Sequence, residues 1–138
     1  MRRKLSNTVE VKLFKLDYDE VMEKLREYSE KAVAKGAKTV VLIGSLARGD
    51  YTAFSDADIL IIADNVSERP IDRLKEFIDP TLPIDLDVRV YTSKEFMKMA
   101  ERGMRIVKEV VKYGIVIAGD PTIIDRARNI TKQGSEEN

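Results

Sequence analysis

Cysteine, histidine and tryptophan are absent from this chain. Without cysteine there can be no disulfide, thiolate zinc site or thiol nucleophile. Without histidine there is no imidazole ligand and no Ser-His-Asp triad. Net charge is missing as well, since 24 Lys and Arg residues balance 24 Asp and Glu residues. A neutral chain casts no broad basic field, which argues against strong nucleic-acid binding. Nowhere do about 18 apolar residues run together, so no membrane span is expected. The opening Met1-Arg2-Arg3-Lys4 is followed by no apolar stretch of the kind a secretory signal needs, and the expected location is the cytoplasm.

What remains for chemistry is carboxylate, Lys, Tyr and water. Oxygen ligands of this kind suit a hard cation, Mg²⁺ or Mn²⁺. The chain has 138 residues, 43% of them apolar and 35% charged, which fits one globular domain with one core. The expected domain spans 1–130, with its informative core at 38–120 and a polar tail over 131–138.

Apolar periodicity sketches the elements. Val9, Val11 and Leu13 alternate with Glu10 and Lys12, which predicts a strand over 8–14. Asp17 and Glu20 resemble a capping box opening a helix that Gly36 closes, with Val21, Leu25, Tyr28 and Ala32 facing the core. Residues 39–43 read as a buried strand, 44–55 as a loop with a helical turn, and 58–63 as a second strand. A helix from Pro70 to about 79 and a strand over 84–91 follow. Thr92 and Glu95 form another capping box, predicting one long helix to Gly114 with Phe96, Ala100, Met104, Val107 and Val111 inward. Residues 115–118 form a last strand, and Asp120-Pro121 opens a terminal helix. The fold class expected is α/β (α+β), a mixed sheet flanked by helices.

The informative stretch runs from Gly44-Ser45-Leu46-Ala47-Arg48-Gly49-Asp50 to Ser55-Asp56-Ala57-Asp58. Its pattern is Gly-Ser-x10-Asp-x-Asp, and four such fixed positions arise by chance in a chain this size on the order of 10⁻³ of the time. Residues two apart on a strand share a face, so Asp56 and Asp58 project side by side. Adjacent carboxylates repel unless a cation lies between them. Gly44 lets backbone approach a phosphate, and the Ser45 hydroxyl can donate to its oxygens. Taken alone, Gly44-Ser45 would be a strand-ending turn and Asp56 a cap; the two in register are what point to function.

A second set, Asp85, Asp87 and Arg89, alternates with Ile84, Leu86, Val88 and Val90. The bland reading is the wet face of an edge strand. If this strand lies beside the Asp56–Asp58 strand, three or four carboxylates converge with one arginine, enough for two divalent ions and an anionic substrate. No Gly-x-x-x-x-Gly-Lys-Ser/Thr occurs, which argues against an ordinary P-loop ATPase.

Residues 41–50 and 55–60 strongly resemble the minimal nucleotidyltransferases, a compact branch of the DNA polymerase β superfamily. The likeness continues through a later strand Asp, the Tyr91-Thr92-x-x-Glu95-Phe96 helix start and the closing Gly114-x-x-x-x-Gly119-Asp120. The resemblance implies transfer of a nucleoside monophosphate from a nucleoside triphosphate, with ATP the expected donor, to a hydroxyl acceptor. It implies that Gly44 and Ser45 hold the triphosphate; Arg48, otherwise an ordinary surface cation, and Ser55 are further candidates for nucleotide contact. Asp56 and Asp58 would bind both metals, and a third carboxylate would hold the catalytic one and act as base. Counting back from Tyr91-Thr92 favours Asp87 for that third group, while counting forward from Pro83 favours Asp85. Asp87 is taken as catalytic, with Asp85 kept as a further metal ligand.

Many minimal nucleotidyltransferases are antitoxins that transfer AMP to a tyrosine of a small helical HEPN toxin, so a separate HEPN-type partner is expected, and a homodimer is a second expectation. The alternative is a non-catalytic nucleotide- or partner-binding subunit that keeps the same surface without chemistry.

Overall fold

The computed structural model describes the backbone of residues 2–137 and the side-chain surroundings of residues 18–132. In chain order it contains α1 (Arg2–Ala34), β1 (Thr39–Ile43), α2 (Gly44–Arg48), β2 (Ala57–Ile62), α3 (Pro70–Phe77), β3 (Leu86–Tyr91), α4 (Ser93–Glu101), α5 (Arg105–Tyr113), β4 (Ile115–Gly119) and α6 (Thr122–Glu137). The four strands form one mixed sheet in the order β3-β2-β1-β4. β1 is antiparallel to both of its neighbours, and β2 runs parallel to β3. A parallel pair needs a crossover, and α3 supplies it.

Helices cover both faces of the sheet, which is why β1 is buried along its whole length. On one face Val21, Leu25, Tyr28 and Ala32 of α1 and Phe77 of α3 pack against Val40, Leu42, Ile59, Ile61 and Val90. On the other, Phe96, Ala100, Val107, Val110, Ile124 and Ala127 of α4, α5 and α6 cover Val41, Ile43, Leu60 and Ile62. Among the described residues no helix is long and apolar enough to cross a membrane.

Two expectations are corrected. Residues 8–14 are helical, part of α1, and so is the Asp17–Glu20 pair. No Gly or Pro interrupts residues 2–34, so a short alternation of apolar residues lies inside an unbroken helix instead of ending it. The long helix predicted after Thr92 is two helices. Gly103 adopts φ 66°, and its N–H and that of Met104 bond back to Ala100 and Met99, a left-handed helix stop. The turn resets the helical phase, so Val107 and Val110 are buried while Met104 is exposed and Val111 only half-buried. α6 runs on to Glu137, so the backbone of the polar segment is helical as far as that residue.

The Thr92–Glu95 capping box is present with both of its bonds. Glu95 also pairs with Arg73, which is almost wholly buried and donates further to Ser67, Glu68 and Val90 carbonyls. A buried guanidinium is tolerable only when satisfied in this way, and it ties α3 and β3 to the start of α4.

Candidate active site

β1 ends at Ile43, and the chain turns at Gly44 straight into the single-turn helix α2. Ile43 pairs with Asp58 across the antiparallel β1–β2 ladder. The Asp58 carboxylate therefore lies directly over the Gly44 backbone. A Cβ at Gly44 would fall 2.0 Å from Asp58 Oδ2, and Gly44 also has φ +76°. Glycine is required here twice, for the turn and for the close approach.

On the far side of β2, the parallel register sets Asp58 against Asp87 and Leu60 against Arg89. Neighbouring strands stand about 4.8 Å apart, so the two carboxylates are held close by backbone pairing. Asp58 shares its face with Leu60 and Ile62, residues of the α4–α6 core, and the acidic set is the open end of that face. Asp56 precedes Asp58 on the same side. Ahead of β3, the Asp85 carbonyl accepts the Ala57 N–H at 2.8 Å, locking the entries of the two strands together.

Asp58 is half-buried, whereas Asp56, Asp85, Asp87 and Arg89 are exposed. Burial pushes the Asp58 carboxyl above the usual carboxylate range, and the like charge of Asp87 pushes it further. Asp56 and Glu109 add to this and Arg89 opposes it. A cation in front of Asp58 would relieve that cost, and the donors on offer are all oxygens, as a hard divalent ion requires. Among the described residues no three acidic side chains form a ready-made metal cage. Asp56 and Asp87 are both exposed.

The remaining sequence candidates divide. Ser45 is half-buried on the first turn of α2, and its carbonyl accepts the Gly49 N–H at 2.9 Å. Ser55 Oγ accepts the Thr52 N–H at 2.8 Å, shaping the turn that delivers Asp56. Arg48, at the end of α2, donates to Asp50 at 3.3 Å and to Glu109 of α5. These carboxylates, Asp50 foremost, hold the guanidinium firmly charged. Asp50, itself exposed, thus orients Arg48.

Glu109 escaped the sequence reading. Its neighbours Arg105, Lys108 and Lys112 look like a solvated helix face, and nothing local says that α5 brings one carboxylate to α2. The Tyr18–Tyr51 stack, with ring centroids 4.8 Å apart and planes 9° from parallel, was equally silent; it ties the segment before Asp56 to α1.

Residues 20–117 match the family model described as nucleotidyltransferase domain. The chain belongs to that family. An inferred protein adenylyltransferase of Methanocaldococcus jannaschii is 46% identical over 44 residues, a stretch covering 32% of this chain and 30% of that protein. The match therefore spans less than a third of the relative's length. Among solved structures, a chain of a toxin–antitoxin complex with AMP-PNP superposes with TM-score 0.58 at 17% identity, covering 81% of this chain and 87% of the other. A chain from the complex of a tri-AMPylated Shewanella oneidensis HEPN toxin with its MNT antitoxin gives TM-score 0.53 at 15% identity, covering 87% of each. These likenesses establish the fold of the nucleotidyltransferase domain, and the geometry above belongs to this chain itself.

Proposed function

We propose that this nucleotidyltransferase moves AMP from ATP to a hydroxyl of a partner protein, with Mg²⁺ or Mn²⁺ as cofactor. The observation that carries the reading is the placement of Asp58 between the Gly44 turn on one side and Asp87 on the other. Gly44 and Ser45 bound the space for the triphosphate, and Arg48 lies at its outer end. Asp56, Asp58 and Asp87 are the carboxylates suited to hold divalent ions, which would offset the charge developing on the phosphate oxygens and on leaving pyrophosphate.

In this reading the acceptor oxygen attacks the α-phosphorus, the bond between the α-phosphorus and the bridging oxygen breaks, and pyrophosphate leaves. Asp87 takes the hydroxyl proton. The register favours Asp87 over Asp85 for this role, because Asp87 is the residue opposite Asp58, while Asp85 lies one pair beyond the ladder.

A protein acceptor fits the name of the Methanocaldococcus relative and the AMPylated HEPN toxin found beside a structural neighbour. The natural candidate is a HEPN-type helical protein carrying the acceptor tyrosine. The test is transfer from α-phosphate-labelled ATP, with Mg²⁺, into a lysate of the host. A labelled protein that disappears with Asp58→Asn and with chelator is the expected result. Label that persists in Asp58→Asn would overturn the site assignment. Nucleotide binding without any label would favour the non-catalytic binding subunit.

A further inference from the structure

Glu109 stands where two distant parts of the chain meet. α5 buries Val107 and Val110 completely, in one core with Ile43 and Leu60. That core lies on the sheet face that carries Asp58. Next to Val110, the Glu109 side chain reaches the rim of the same face, 28% exposed, and accepts a hydrogen bond from Arg48 Nη1. Its charge is also felt at Asp58.

The two carboxylates on Arg48 are not equivalent. Asp50 accepts from Nε at 3.3 Å, but its side chain is 64% exposed, and it follows Arg48 by two residues in the same loop. It therefore moves with the arginine. Glu109 is 61 residues away in sequence, on a helix whose buried valines fix it to the sheet. A guanidinium held at one nitrogen can turn about that bond, whereas one held at two nitrogens keeps its plane. It has five N–H donors, so neither bond need break for it to meet a phosphate.

Along α2, Ser45 and Arg48 are three residues apart, roughly 5 Å or about one helical turn. A triphosphate that starts at Gly44 and Ser45 thus runs toward the arginine. Resting on the transfer reading, in which Arg48 lies at the outer end of the triphosphate, we propose that Glu109 is a positioning residue for ATP: anchored on α5, it fixes the Arg48 guanidinium in the orientation that meets the terminal phosphates. Without it, the long Arg48 side chain has to be ordered when ATP binds, and affinity falls.

The experiment measures the Kd for ATP with Mg²⁺, by equilibrium dialysis, on the full chain and on Glu109→Ala, Glu109→Gln, Arg48→Ala and Lys108→Ala. Glu109→Ala should weaken ATP binding about fivefold, and Arg48→Ala at least as much. Glu109→Gln keeps an acceptor oxygen for Arg48 and should stay within about twofold of the parent. Lys108, the exposed neighbour of Glu109 on α5, serves as control, and Lys108→Ala should match the parent. Equal weakening in Glu109→Ala and Glu109→Gln would overturn the proposal, because the charge near Asp58 would then matter instead of the hold on Arg48. Unchanged ATP binding in Glu109→Ala would overturn it too, as would unchanged binding in Arg48→Ala. Failure of the parent chain to bind ATP at all would instead remove the transfer reading beneath it.

Discussion

Replacing Gly44 with alanine should damage the site and the fold by separable amounts. The positive φ of +76° costs an L-residue about 1–2 kcal/mol by itself. The new methyl would then stand 2.0 Å from Asp58 Oδ2 and 2.9 Å from its Cγ, so the carboxylate must turn aside. Forcing a side chain about 30° from its well costs roughly 0.5–1.5 kcal/mol, which brings the total to about 1.5–3.5 kcal/mol. Gly36 provides the comparison. Its φ is +115°, yet nothing lies within 4 Å of an added Cβ, so Gly36→Ala should show the backbone strain alone, about 1–2 kcal/mol. Urea unfolding of the parent and both variants gives the two stabilities. AMP transfer separates them further, because displacing a reacting group by about 1 Å can cost on the order of 10²-fold in rate. Gly44→Ala should lose at least that much while Gly36→Ala keeps its activity. If the two variants lose equal stability and both transfer AMP normally, the Asp58 carboxylate is not packed on the Gly44 backbone, and the site built on that contact falls.

Three further outcomes are expected. The Asp58 carboxyl is pushed up in the fold, so it stabilises the native state only while protonated, and that contribution is lost as pH rises through its raised folded value. In thermal melts with chelator, Asp58→Asn should therefore be more stable than the parent at neutral pH, and the gap should close as pH falls through the carboxylate range; a gap that widens in acid would contradict this. Arg48 is held by Glu109, so the loss of ATP affinity in Glu109→Ala should largely vanish in an Arg48→Ala background. Simple additivity in that double-mutant cycle would mean that Glu109 acts without Arg48. Tyr28 is buried and donates to the Phe77 carbonyl at 2.5 Å, so Tyr28→Phe should cost about 1–2 kcal/mol in urea unfolding and leave transfer intact.

Much of this was written in local sequence. Thr39–Ile43 and the run after Asp56 are apolar and β-branched, which only buried strands accommodate, and the Thr92–Glu95 box marked the start of α4 to the residue. Alternation placed Asp85, Asp87 and Arg89 on one face of β3. Pairing was beyond it: whether Asp87 faces Asp58 depends on which strand lies next to β2, and that is decided by packing through the α3 crossover. For the same reason Glu109 was invisible, since its meeting with Arg48 joins residues 61 apart in sequence. Where local signals conflicted, the longer-range one won. Residues 8–14 alternate like a strand but lie in a stretch with no helix breaker, and Gly103, in the middle of an apolar helical period, ended the helix.

The parallel pairing of β2 with β3 also has a kinetic meaning. β1 and β2 are near neighbours in sequence and can form their ladder early, whereas β3 must wait until residues 63–85 have folded back across the sheet and their loop-closure entropy has been met. A chain caught before that step would carry the Gly44 turn with Asp56 and Asp58 but would lack the Asp87 position. Transfer activity is thus a stricter gauge of completed folding than helix content, and a refolding experiment should see it return last.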